Sequence, residues 1–210
     1  MKHIATVPAA LMRAAMLYQA KNDVRYYLCG VMIDAENIIA TDGHTMFISP
    51  YQTDKRPEKP VIVAISGKIP KNAVNLQLLF DEENDIGMAR CVGPVPTISQ
   101  GQDGDVTEAD AKPISIFDKM GHPLTLPFHV IDGRYPDYQR VIPKGDPVPT
   151  STIGVDVVLM AKAAAAMKEL GYRFTAAALS LYGPTNSMVL ETCPGNPNQN
   201  IKIIVMPCRM

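Results

Sequence analysis

The sequence predicts an α+β protein with helices laid on one side of antiparallel sheets. Stretches whose apolar residues recur at helical spacing alternate with short runs rich in β-branched and apolar residues, and this alternation comes round three times. A helix of this kind is apolar along one stripe only, so each needs a sheet to cover it. Size permits such a fold: 210 residues, 47% of them hydrophobic, can bury a substantial core, as one large domain or two small ones.

The first unit opens with TVPAALMRAAMLYQAK, where Thr6 is suited to cap a helix, Pro8 to its first turn, and Val7, Leu11, Ala14 and Tyr18 to its apolar stripe. Arg13, Met16 and Lys21 fall on the other face. VMIDAENIIA then reads as strand, turn and strand around Asp34 to Asn37, and MFIS as a further strand. PYQTDKRPEKP carries too much proline and charge to be anything but a connector.

The second unit has VIVAIS as a strand, IPKNAVNLQLLF as a helix entered through Pro70, and strands at Met88 to Val92, Ile114 to Phe117 and Leu124 to Ile131. Within it, GPVPTISQGQDGDVTEADAKP has the glycines, prolines and acids of a long exposed loop. The third unit has STIGV as a strand and DVVLMAKAAAAMKEL as a helix ended by Gly171. The strands AALSLYG, SMVLETC and IKIIVMP follow.

The formal charge of −1 gives no global attraction to polyanions, so nucleic acid or an anionic membrane would have to meet a local basic surface. No apolar run approaches the roughly 20 residues that cross a bilayer. Cys29, Cys91, Cys193 and Cys208 are scattered without the short spacings of zinc or redox pairs, and the N-terminus has no signal-peptide pattern. The expectation is a cytoplasmic protein with reduced thiols.

The stretch ATDGHT, Ala40 to Thr45, packs an acid, a glycine and a histidine after the hairpin. Asp42 and His44 suit a turn and a solvent-facing strand residue, since aspartate side chains commonly cap turns. They also suit an enzyme in which Cys29 or Cys91 is activated by His44 and Asp42, or a zinc site, although the spacing requires neither. There is no phosphate-binding glycine loop, and GVDVVLMAK reads as a helix start.

Four separated motifs, DVRYYLCGVMI, ATDGHTM, IDGRYPDYQRVIP and the C-terminal VMPCRM, occur in the order found in the bacterial DNA polymerase III β sliding clamp family, which the sequence resembles. The resemblance implies a DNA-clamp fold without catalysis, cofactor or metal. Residues 1–143 correspond to the family's middle domain and 144–210 to a shortened C-terminal domain. It further implies a pocket for short linear motifs of DNA polymerase, clamp loader and repair proteins, built from Leu28, Thr41, Gly43, His44, Met46, Pro136, Arg140, Val141, Val205, Met206, Pro207 and Arg209. Aliphatic, thioether and proline surface rimmed by one or two arginines and backbone groups suits an extended peptide with apolar anchors and a polar or acidic residue. Two positions depart from the family: Thr45-Met46 stands for its usual Arg-Leu, and Cys208 for a usual methionine.

The resemblance also implies duplex DNA held without sequence preference along helices that offer Arg13, Lys21, Lys68, Lys71, Lys162 and Lys168. Lysines on helices are also ordinary solvated charges. Family members have three domains of two units each and close as dimers. A chain with about three units would need a homo-oligomer of more copies to close a ring. Otherwise it would be a non-encircling adaptor or competitor that keeps the peptide pocket.

Overall fold

The computed structural model describes residues 1–94, 115–192 and 200–208. Its strands are β1 (Lys2–Pro8), β2 (Val31–Ile33), β3 (Asn37–Thr41), β4 (Thr45–Pro50), β5 (Val61–Ile65), β6 (Asn75–Asp81), β7 (Ile86–Val92), β8 (Thr125–Val130), β9 (Ala177–Ser180), β10 (Met188–Thr192) and β11 (Lys202–Val205). They form one continuous antiparallel sheet in the order β1-β6-β7-β8-β5-β2-β3-β4-β11-β10-β9. Two helices, α1 (Ala9–Met16) and α2 (Val157–Glu169), pack against it and touch each other.

The helices cover the larger core, where Leu11, Met12 and Ala15 of α1 and Ala163 and Ala166 of α2 meet Ile33, Ile38, Phe47, Ile203 and Val205 of the sheet. Because side chains alternate along a strand, the next residues of the same strands point the other way. Met32, Ile39, Met46, Ile48 and Ile204 form a second core with Ala20, Leu28 and Tyr135. The central strands are therefore buried on both faces, which explains why they read as unbroken apolar runs.

Several expected elements differ. Thr6 lies in β1 and its hydroxyl meets His3 Nε2 at 3.0 Å, so it does not cap α1. Pro8 has the N-cap position, with φ −61° and ψ 124°, and disfavours helical backbone at Val7 before it. The IPKNAVNLQLLF segment is no helix: its second half is β6, where Leu76 and Leu78 are buried while Gln77 and Leu79 are less so. Pairing with β1 on one side and β7 on the other overrides the helix preference of its leucines. The middle unit thus lacks its helix among the described residues.

The expected strand at Ile114 to Phe117 is reduced to single bridges, Ser115 to Val92 and Phe117 to Pro123, with Ile114 outside the described residues. STIGV is likewise reduced to one bridge, Gly154 to Cys208. Most of the loop expected at residues 93–113 lies outside the described residues. Helix α2 ends as expected, at Gly171 with φ +77° while Tyr172 N–H returns to the Met167 carbonyl, and at its start Asp156 accepts from Val158 N–H.

Phe47 is fully buried in β4, its ring 5.5 Å from that of Tyr18. Phe47→Ala should cost about 3–5 kcal/mol in urea unfolding, by lost transfer energy and the cavity left beneath the sheet.

Candidate functional site

Register builds the site. β11 pairs with β4 so that Ile204 faces Met46 and Val205 faces Thr45, and Met206 N–H then donates to the His44 carbonyl at 2.9 Å. The C-terminal strand is thereby laid beside the turn that joins β3 to β4, although more than 150 residues separate them in sequence.

That turn is held by its own side chains. Asp42 Oδ1 accepts from His44 N–H at 2.9 Å, Thr45 N–H at 2.7 Å and the Thr45 hydroxyl at 3.0 Å. The Thr41 hydroxyl donates to the Thr45 carbonyl at 2.7 Å and accepts from Gly43 N–H at 3.0 Å. Gly43 has φ +90°, a backbone conformation that strains any residue with a side chain, and a Cβ there would also displace the guanidinium of Arg25, whose Nη2 would lie 2.9 Å away. Asp42 Oδ2 takes an ion pair from Lys162 of α2.

Burial raises the affinity of Asp42 for a proton, but the Lys162 ammonium and the two backbone N–H groups outweigh it and hold the carboxyl below the usual aspartate range. Asp42 is thus a turn anchor, and its contacts with His44 are to backbone, not to the imidazole. Cys91 is fully buried in the larger core, where burial pushes its thiol up, and the Cys29 thiol faces the Asp23 carbonyl at 4.0 Å. Neither has the electropositive, exposed setting of a nucleophile. Among the described residues no cluster of three or more His, Cys, Asp or Glu could hold a metal.

Above the turn lies an open cleft of about 210 Å³, lined by Arg25, Leu28, Thr41, Gly43, His44, Thr45, Met46, Pro136, Val141, Ile204 and Met206. Leu28 comes from a 3₁₀ turn at Tyr26–Cys29, closed by Leu28 N–H on the Arg25 carbonyl at 2.8 Å. Pro136 and Val141 come from the segment after β8. Buried Tyr135 fixes it, as does Tyr138, whose hydroxyl donates to Asp34 Oδ2 at 3.1 Å. Met206 lies at the lip, 42% exposed. It also lines a neighbouring cleft of about 660 Å³ with Ile153, Pro184, Pro207 and Cys208.

Eight of the twelve expected residues therefore converge: Leu28, Thr41, Gly43, His44, Met46, Pro136, Val141 and Met206. Pro207 lines the adjacent cleft instead. Val205 is fully buried on the helix side of the sheet, because strand alternation turns it away from its neighbours Ile204 and Met206. The Arg140 side chain is 85% exposed and pairs with Asp137 at 3.0 Å, outside the lining. Arg209 lies outside the described residues.

Three lining residues are additional: Arg25, Thr45 and Ile204. Ile204 was findable by stepping back two positions from Met206 along a strand, and Arg25 by stepping back three from Leu28, the spacing that eclipses side chains in a 3₁₀ turn. Arg25 forks onto Asp23, Nε to Oδ1 at 3.0 Å and Nη2 to Oδ2 at 2.7 Å. Those bonds hold the Asp23 carboxyl down at about 2.

The basic residues divide in two. Arg13 donates to Glu169 Oε2 at 2.9 Å and to the Pro70 carbonyl at 2.8 Å, and Lys162 is held by Asp42. Lys21, Lys68, Lys71 and Lys168 are exposed and make no ion pair among the described residues.

This fold is that of DNA polymerase sliding clamps. The Bacillus subtilis sliding clamp matches 99% of this chain and 64% of its own at a TM-score of 0.61 and 13% identity. A Pseudomonas aeruginosa clamp bound to griselimycin matches 98% and 65% at a TM-score of 0.56 and 13% identity. In sequence the chain resembles, more particularly, the β sliding clamp: that of Proteus mirabilis is 29% identical over 171 residues, and that of Salmonella typhimurium LT2 is 28% identical over 171. These matches take in 77% of this chain but only 40% and 39% of the relatives, so the chain spans about two fifths of their length. No family model matches. No helix among the described residues is long and apolar enough to cross a membrane.

The Asp42 shift has a sign that can be checked. A carboxyl depressed in the folded state contributes stability that is complete above the unfolded value, near pH 4, and is lost as pH falls through the folded value. Asp42→Asn should therefore be less stable than the parent in urea at pH 7, and the gap should narrow as pH falls below the unfolded value, about 4.

Proposed function

We propose that the protein is a sliding-clamp-like, non-catalytic component of DNA replication or repair in the cytoplasm, and that the cleft receives short linear motifs of polymerases, clamp loaders or repair factors. The observation that carries this reading is the convergence of four distant segments on one largely apolar cleft, with half-exposed Met206 at its lip. Pockets of this kind, apolar with a few oriented polar groups, suit an extended peptide, and a methionine adapts to varied partners. Apolar anchors would sit against Leu28, Met46, Ile204 and Met206, an acidic residue would face Arg25, and the chain would run on past Met206 toward Pro207 and Cys208.

Residues 1–143 are read as the counterpart of the family's middle domain and 144–210 as that of its C-terminal domain. Duplex DNA would be held through phosphate alone by the uncommitted lysines Lys21, Lys68, Lys71 and Lys168, with Arg13 and Lys162 spent on protein contacts. A homo-oligomer that closes a ring would use the two strands at the ends of the sheet, β1 and β9. The second reading, a non-encircling adaptor that competes for clamp-binding proteins, uses the same cleft and needs no oligomer.

A short synthetic peptide with leucine and phenylalanine anchors and one acidic residue should bind in the micromolar range, equivalent to about −8 kcal/mol. Met206→Glu should abolish the titration-calorimetry signal while leaving the fold intact, since the side chain is half exposed in the free protein. Equal binding by parent and variant would reject the cleft as the peptide site. Duplex binding should fall steeply with salt, and Lys71→Ala should weaken it uniformly across sequences. Light scattering separates the two readings, a defined oligomer favouring the ring and a monomer at high concentration the adaptor.

A further inference from the structure

Lys162 is the basic residue of α2 that does not face outward. Its ammonium pairs with Asp42 Oδ2, and the side chains of both are mostly buried, 27% and 16% exposed. The other carboxylate oxygen of Asp42 takes the three bonds from His44 and Thr45 that shape the cleft wall. A single carboxylate therefore joins α2, which packs on the helix side of the sheet, to the turn that carries Gly43 and His44. An aspartate this far removed from water needs a counter-charge, or it is driven to protonate or swing to solvent. Swinging out would take Oδ1 from its three donors in the turn, and protonation at Oδ2 would weaken Oδ1 as their acceptor.

We propose that Lys162 is a positioning residue of the cleft: by neutralising Asp42 from the helix layer it fixes the turn at Gly43 and His44 in the geometry that receives peptide, without touching the peptide itself. This rests on the peptide-binding reading of the cleft. It makes the helix layer and the cleft energetically linked, because whatever draws Lys162 from Asp42 loosens the turn, and a bound peptide strengthens the ion pair in return.

The test uses the full chain, the synthetic peptide described above, and amide hydrogen exchange at His44 and Thr45. Lys162→Met keeps the stem and removes the charge; it should lower peptide affinity about tenfold and speed exchange at both amides. Lys162→Arg should restore most of each. Asp42→Asn with Lys162→Met should lose less than the two single changes summed, since the pair acts as a unit. Unchanged exchange in Lys162→Met overturns the proposal, as does weaker binding that Lys162→Arg does not rescue. If the parent binds no peptide, the cleft reading fails by itself, and exchange in Lys162→Met alone decides whether Lys162 holds the turn.

Discussion

The pairing of β11 with β4 is the constraint on which the rest depends. It joins the three C-terminal strands to the eight that precede them, making one sheet of eleven. It also sets Ile204 against Met46 on one face and Val205 against Thr45 on the other. A slip of one residue would turn Ile204 into the helix core, Val205 toward the cleft, and Met206 away from His44. Both faces are apolar and filled, so such a slip would bury the wrong volumes on both sides at once. The cleft is therefore specified by core packing, and its lip residue follows from the register.

The same double burial explains why a charge pair sits at the joint. The β3–β4 turn lies where the helix layer, the sheet and the loop cover come together, and its backbone N–H groups need acceptors that water supplies only in part. Asp42 meets that need with one oxygen and meets Lys162 with the other. A pair so enclosed gains little net stability over an apolar replacement, since desolvation offsets much of the attraction, but removing one partner leaves the other exposed to the full penalty. Its value lies in fixing one turn geometry, and the turn is where geometry matters to the cleft.

What the sequence made legible follows the same physics. Strands β3, β4, β10 and β11 and helix α2 were readable because local signals agreed with the final packing: turn residues at Asp34 to Asn37, and glycine at the end of α2. β6 was not, because NLQLLF satisfies helical spacing as well as strand alternation and only its partners β1 and β7 decide. Thr6 departs from a capping role for a related reason: its hydroxyl finds His3 within the strand, a contact that no local capping pattern contains. At the site, the motifs located the segments, while the face each side chain takes required the sheet. Hence Met206 was placed at the cleft and its neighbour Val205 lies in the opposite core. The charges were least legible, because whether Arg13 and Lys162 are free depends on Glu169, Pro70 and Asp42, which only the fold brings near.

If the cleft receives a peptide as proposed, the charges at its rim would not carry the affinity. Arg25 already meets Asp23 through a two-point fork, so an acidic peptide residue could only exchange one carboxylate for another around an arginine side chain that is itself 45% exposed. Exposed pairs of that kind contribute little, roughly 0 to 1 kcal/mol. Arg140 is likewise matched by Asp137 and faces water. The surplus would come from apolar anchors set against Met46, Ile204 and Leu28, which the free protein holds in place through the second core, and against half-exposed Met206 at the lip. Preorganisation of this kind would spare part of the ordering cost of association and leave the rim arginine to govern approach and orientation. Under the proposed reading, a peptide partner would be selected chiefly by the spacing of its apolar side chains, with the turn anchored by Asp42 setting the width they must match.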